Sequence, residues 1–260
     1  MFAEKAAAPV SNATTFRGLS RDVLAWKPQS DVSCSECRLR ELCLPRGLSD
    51  GSLEALFSAA VFAHRRLRSG QALFRAGDAF DSVYLVRSGF VKTVVLLEDG
   101  REQVTGLHMP GDMLGMDGLA SSRHVSDAIA LDNTEICVVP YERLETLSQQ
   151  TREVQRHLHR IFANEIVREQ RMMLLLGSMN AQERVSAFLL NLSERLTARG
   201  YSPSHFVLRL TREEIGSLLG MKLETVSRIF SKFQKAGLIE VDGKQVRIVS
   251  INGLRGIPNR

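Results

Sequence analysis

Between Phe62 and about Val139 the apolar residues come in short β-branched or aromatic segments, at 72–74, 83–86, 91–97, 104–107, 128–131 and 136–139. Turn residues separate them: Ala76-Gly77-Asp78, Ser88-Gly89, Asp99-Gly100 and Pro110-Gly111-Asp112. Many short antiparallel strands closed by Gly and Asp turns predict a jelly-roll type barrel. At about Thr151 the period changes. A stretch without Pro or Gly runs to Leu176, with Gly177 as a C-cap signal, and predicts one long helix. His159, Phe162, Ile166, Glu169, Met173 and Leu176 are spaced alternately by three and four, which is coiled-coil periodicity and predicts a homodimer seam. A second stripe, Leu158, Ile161, Met172 and Leu175, is expected to face the barrel. Before the barrel, Leu53, Leu56 and Phe57 form one face of a short helix behind the cap Ser49, and residues 1–30 read as weakly ordered.

The last third repeats the helical period in shorter pieces. Residues 181–196 carry Val185, Phe188, Leu189 and Leu192 on one face. Thr211 followed by Glu214 is a capping box, and Ile215, Leu218 and Leu219 face inward from the helix it opens. Gly220 permits a tight turn into a second helix that buries Val226, Ile229, Phe230 and Phe233. Helix, Gly turn and helix at this spacing predict a helix-turn-helix. The hairpin around Asp242-Gly243 supplies a wing.

Charge sharpens the picture. Residues 180–260 hold 13 Lys and Arg against 7 Asp and Glu, while the rest of the 260-residue chain is close to neutral. A basic C-terminal third points to a polyanion partner at that end. On the second helix of the motif, Glu224, Thr225, Ser227, Arg228 and Lys232 lie opposite the buried face. Such a helix enters the major groove of double-stranded DNA with these residues toward the bases. Arg228 can bond guanine O6 and N7, Glu224 can accept from cytosine N4, and Ser227 can bond either way. No apolar run reaches the ~18 residues of a membrane span. The N-terminus lacks the apolar core of a secretory signal, so the expected location is the cytoplasm, away from membranes.

Four cysteines lie at Cys34, Cys37, Cys43 and Cys137. In a reducing cytosol they are not expected to form structural disulfides. Four converging thiolates hold either an iron–sulfur cluster or structural zinc, and the spacing leaves both open. Buried unligated thiols would suit Cys137 on its apolar strand, but not Cys34 and Cys37 among polar neighbours. His64, His108 and His124 lack a His-x-His pair, so no catalytic metal site, and no enzyme, is expected.

Barrel, long helix and winged helix-turn-helix in this order resemble the CRP/FNR family of bacterial transcription regulators over almost the whole chain from Cys34 onward. Glu224-Thr-Val-Ser-Arg228 resembles the FNR branch. The resemblance implies an α+β fold: a cyclic-nucleotide-binding-like jelly-roll barrel, a long dimerisation helix and a C-terminal winged helix-turn-helix. It divides the chain into a cysteine-bearing segment (1–48), a barrel (49–150), a dimer helix (151–177) and a DNA-binding domain (178–260). It implies a [4Fe–4S] cluster on Cys34, Cys37, Cys43 and Cys137 that senses oxygen and controls dimerisation. The DNA sites would be inverted repeats of TTGAT type, and RNA polymerase would be a partner, met through the turn Glu98-Asp99-Gly100-Arg101. Glu169, at the seam, would face its own copy. Met116 and Val125 stand where cyclic-AMP-binding members carry the ribose Glu and phosphate Arg, and Asp127 is expected to place a negative charge near a phosphate. Cyclic AMP is therefore not expected as a ligand. The alternative is a regulator of the same family that answers another small-molecule or redox signal, with cysteines binding zinc or no metal.

Overall fold

The computed structural model describes Cys37, residues 63–150 and residues 152–257. Cys34, Cys43 and the expected features of residues 1–30 and 49–57 lie outside the described residues. Two four-stranded antiparallel sheets face each other, ordered β1-β8-β3-β6 and β2-β7-β4-β5. The first contains β1 (Ala63–Leu67), β3 (Ser82–Ser88), β6 (Met113–Leu114) and β8 (Thr134–Pro140). The second contains β2 (Ala72–Phe74), β4 (Val91–Leu96), β5 (Glu102–His108) and β7 (Asp127–Ala130). Between them Phe74, Tyr84, Val86, Val91, Ile136 and Val138 form the barrel core. This is the expected jelly-roll. The short strands β1 and β6 carried too few apolar residues to stand out in the hydrophobic pattern.

Alternation along a strand sends successive side chains to opposite faces. On β3, Tyr84 and Val86 point into the barrel, while Val83 and Leu85 lie on its outer face. That outer face is covered by α1 (Tyr141–Gln150) and the start of α2 (Arg152–Ser178), through Leu144, Leu147, Val154 and Leu158. Both faces of β3 are therefore buried, and its sequence is a continuous apolar run rather than an alternating one. Helix α2 passes through Gly177 and ends at Ser178, two residues beyond the expected last helical residue, Leu176. The expected second stripe divides its work: Leu158 packs on the barrel, while Met172 and Leu175 pack against the C-terminal core.

The C-terminal core is continuous with the barrel. Val94, Val104, Leu107 and Met109 join Leu192, Leu196, Leu208 and Ile215 in one apolar cluster. Helix α3 (Ala181–Thr197) lies against it. Around this cluster sits a polar clamp. Asp112, in the turn after β5, accepts 2.5 Å and 2.6 Å bonds from the guanidiniums of Arg195 and Arg199. Arg195 also donates to the carbonyl of Leu107, and Arg199 to that of Pro110. Burial alone would raise the Asp112 carboxyl, but Arg195 and Arg199 outweigh it and hold the group below the ordinary carboxylate range.

Removing one partner of a buried ion pair leaves uncompensated charge, so Asp112→Ala should cost about 3–5 kcal/mol in urea unfolding at pH 7. The folded-state pKa lies below the unfolded value of ~3.9, so this stabilisation is complete above that pH and is lost as pH falls through the folded pKa. The gap between wild type and Asp112→Ala should close below about pH 4; a gap independent of pH would show that packing, not charge, is what the variant loses.

Candidate nucleic-acid interface

The helix-turn-helix is built from α4 (Arg212–Leu219) and α5 (Leu223–Lys235). Thr211 caps α4 as expected. Its hydroxyl accepts from Glu214 N at 3.1 Å, and the Glu214 carboxylate accepts from Thr211 N at 2.7 Å. The helix stops at Gly220, whose φ of 64° an L side chain rarely adopts. Ile215, Leu218, Leu219, Val226, Ile229, Phe230 and Phe233 are buried between the helices, as the period predicted. Arg212 adds a cation–π contact, its guanidinium 3.6 Å from the centre of the Phe230 ring.

Two features of this motif escaped the sequence reading. Gly216 is helical, but a Cβ there would stand 2.6 Å from the carbonyl oxygen of Met221, so α4 and the turn approach more closely than any other residue allows. The wing has a third strand: β9 (His205–Val207) pairs with β11 (Gln245–Ile248), which pairs with β10 (Ile239–Asp242). Three residues, His205, Phe206 and Val207, are too few to give a period to detect. The wing turn is also shifted by one residue. Asp242 pairs with Gln245, so Gly243 and Lys244 form its tip.

On the outer face of α5, Glu224, Arg228 and Lys232 are exposed, and Thr225 and Ser227 are half-buried beside them. Ser227, Arg228 and Lys232 share a shallow groove with Ser231 and Lys235, which the sequence reading did not single out. Thr225, Arg228 and Lys232 also border the N-terminus of α3 at Asn180–Gln182. Arg228 Nε donates to the Glu224 carbonyl at 3.3 Å, which lays the guanidinium along its own helix surface. Three hydrogen-bonding types and two cations on one exposed face suit base edges and phosphates together.

The first helix of the motif is docked on the barrel. Lys92 Nζ reaches Glu214 at 2.7 Å. Ser217 Oγ accepts from Val104 N at 2.8 Å, on the edge strand β5. These bonds cover a sheet edge that would otherwise be unpaired.

Along α2 the expected seam residues differ in exposure. His159, Ile166, Glu169 and Met173 are exposed, while Phe162 and Leu176 are half-buried, Phe162 against the barrel's outer cluster. Val167 and Leu174 lie next to Ile166 and Met173 at the same heptad interval and are 43% and 64% exposed, which leaves an uncovered apolar stripe on this chain. Cys137 lies on β8 between β1 and β3, paired in register with His64 and Leu85. Its neighbours Ile136 and Val138 point into the barrel, whereas Cys137 belongs to the outer cluster beside Phe162 and is half-buried. Cys37 is half-buried as well.

The barrel holds a cavity of 570 Å³, closed on one side by Phe162, Glu165 and Ile166 of α2. Met116 and Val125 line it. Asp127 does not act there as expected: its carboxylate accepts from Ala76 N at 2.8 Å and meets Arg75 at 3.5 Å, outside the cavity lining. The carboxylate on the barrel side of the cavity wall is Asp117, while Glu165 and Glu169 line it from α2. His108, fully buried, meets Thr93 Oγ1 at 3.3 Å and has its pKa pushed down to about 3, first by burial and then by Arg168. His124 is bonded to Asp117. These histidines have separate partners and do not converge.

A barrel joined by a long helix to a helix-turn-helix with an exposed polar recognition face defines a sensor-type DNA-binding protein. Residues 64–151 match the cyclic nucleotide-binding domain family, and residues 183–257 match the Crp-like helix-turn-helix domain family. The transcriptional activator protein FnrA of Stutzerimonas stutzeri is 43% identical over 228 residues, covering 88% of this chain and 93% of that protein. The fumarate and nitrate reduction regulatory protein of Salmonella typhimurium is 38% identical over 226 residues, covering 87% and 90%. Among solved structures, FixK2 from Bradyrhizobium japonicum superposes with a TM-score of 0.69 at 31% identity, covering 75% of this chain and 96% of that one. The chain belongs to the CRP/FNR family of transcription regulators, in its FNR branch; it is a DNA-binding regulator and not an enzyme. Among the described residues, no helix is long and apolar enough to cross a membrane.

Because a Cβ at Gly216 meets backbone rather than a movable side chain, Gly216→Ala should cost roughly 1–3 kcal/mol by overpacking. It should also weaken operator binding, since the turn sets the position of α5. Thermal unfolding with a DNA shift assay checks both; a variant with unchanged stability would mean the turn can open without cost.

Proposed function

We propose that the chain is an oxygen-responsive activator in which Cys34, Cys37, Cys43 and Cys137 hold a [4Fe–4S] cluster that governs homodimerisation and binding to TTGAT-type inverted repeats in the cytoplasm. The observation that carries this reading is the placement of Cys137. Its side chain belongs to the outer cluster of the barrel, half-buried against the same cluster as Phe162 of α2. A thiol on that face can join thiolates from another segment of the chain, as a thiol facing the barrel core could not. Four thiolates are the donor set that such a cluster takes, and the two described ones, Cys37 and Cys137, are each half-buried. When bound, it supplies a centre that reacts with oxygen and is lost or converted. This chain's part is to hold that centre next to the helix that bears the exposed stripe of Ile166, Val167, Met173 and Leu174.

The names of the relatives support the physiological side. They include the anaerobic regulatory protein of Haemophilus influenzae, 39% identical over 86% of this chain. Dimerisation would cover the apolar stripe and place two copies of α5 one helical turn apart on DNA, as inverted repeats require. Glu169 would then stand in the interface between Ile166 and Met173, where two like charges oppose pairing. Leu96 and Leu97 are exposed beside the Asp99–Arg101 ion pair, at the turn that would meet RNA polymerase.

Two experiments test this reading. Wild-type protein purified without oxygen should contain iron and sulfide and show charge-transfer absorbance, and Cys137→Ala should lose the iron. Full iron content in Cys137→Ala would remove Cys137 from the ligand set, and zinc in place of iron would favour a cluster-free regulator. Separately, Arg228→Ala should lose discrimination at one guanine per half-site, at about 1–3 kcal/mol. Uniform weakening on all sequences would instead mark Arg228 as a backbone contact.

A further inference from the structure

We propose that Asp117 is a built-in anion ligand: its carboxylate fills an oxyanion cradle in the barrel wall, so that the barrel of this chain is self-liganded and closed to phosphate-bearing molecules. Four donors converge on that one side chain. Oδ2 accepts from Val125 N at 3.0 Å, from Ser126 N at 3.1 Å and from the Ser126 hydroxyl at 2.9 Å. Oδ1 meets His124 Nδ1 at 3.0 Å. A carboxylate can only accept, so Nδ1 carries the hydrogen. His124 is held in turn by stacking on Phe74, with ring centres 3.8 Å apart. Two adjacent backbone N–H groups, a hydroxyl and an imidazole N–H are the donor set expected for a bound oxyanion.

The cradle opens on the cavity, since Asp117, Val125 and Ser126 all line it. An incoming phosphate would have to displace a covalently tethered competitor. It would also meet Glu165 and Glu169 on the opposite wall, where Arg168 is already paired with Glu165. Burial tends to raise the Asp117 carboxyl, but the bonds from His124, Ser126 and Val125 outweigh it and keep the group below the ordinary range. The plug therefore remains anionic at neutral pH. The cradle contains no cysteine and is independent of the cluster.

The test is chemical rescue. Asp117→Ala should empty the cradle and leave its donors unpaired; Asp117→Asn should keep the space filled with a neutral amide. Melting temperatures of the full chain are compared in sodium formate, sodium phosphate and sodium chloride at matched ionic strength. Formate restores the missing carboxylate, and inorganic phosphate probes whether the emptied site takes the larger anion. An anion that binds only the folded chain, at ten times its dissociation constant, should raise the melting temperature of Asp117→Ala by roughly 3–6 °C in a saturable way. Wild type and Asp117→Asn should show no saturable gain. If Asp117→Ala folds in formate but not in chloride, the proposal is supported in the same sense. It is overturned if Asp117→Ala gains no more from either anion than wild type does, or if it folds in neither salt.

Discussion

Three backbone carbonyls at the ends of two helices converge on the guanidinium of Arg184. Nη2 donates to Leu176 in the last turn of α2 at 2.6 Å, Nε to Met179 in the link to α3 at 2.9 Å, and Nη1 to Leu219 at the end of α4 at 3.1 Å. The last carbonyls of a helix have no partner within it and carry the negative end of its dipole. One cation satisfies both helix ends, and so fixes the end of the long helix against the turn of the DNA-binding motif. A rotation of α2 would therefore carry the helix-turn-helix with it, because the carbonyls at both ends are held by the same side chain.

The other end of α2 is fixed differently. Val154 and Leu158 are buried on the outer face of the sheet that contains Cys137. The helix thus begins on the barrel, passes its cavity, exposes an apolar stripe and ends under Arg184. Between barrel and DNA-binding domain there is a second route, through the shared apolar cluster and the Asp112 clamp. Two attachments make the orientation of α5 a property of the whole chain rather than of a hinge.

What could be read from the sequence follows from how local each signal is. The helix-turn-helix was legible because its capping box, buried period and αL glycine lie within twenty-five residues and point to the same answer. The barrel was legible through its Gly and Asp turns. Contacts between distant residues were not. Nothing in the spacing of Asp112 and Arg199, or of Arg184 and Leu219, announces a bond, and such pairs are set by the fold alone. The carboxylate in the barrel was misassigned for a related reason. Asp127 and Asp117 are both near the cavity in sequence terms, but β7 turns Asp127 toward the backbone of Ala76. The short turn at Met116–Gly118 aims Asp117 inward.

On the proposed reading, this division would let a barrel of the cyclic nucleotide-binding family serve without a nucleotide. A ligand in such a cavity would satisfy the donors of the wall and brace the wall against α2. Here the first task falls to Asp117, which leaves no unpaired donor at Val125 or Ser126. The second falls to Phe162, packed from α2 onto the barrel cluster beside Cys137. With the interior already satisfied, a signal would act from the outer face, on the apolar cluster that Cys137 and Phe162 both join. On the proposed reading, a change at that cluster would bear on α2 where Phe162 packs, and the far end of α2 is tied to α4 through Arg184.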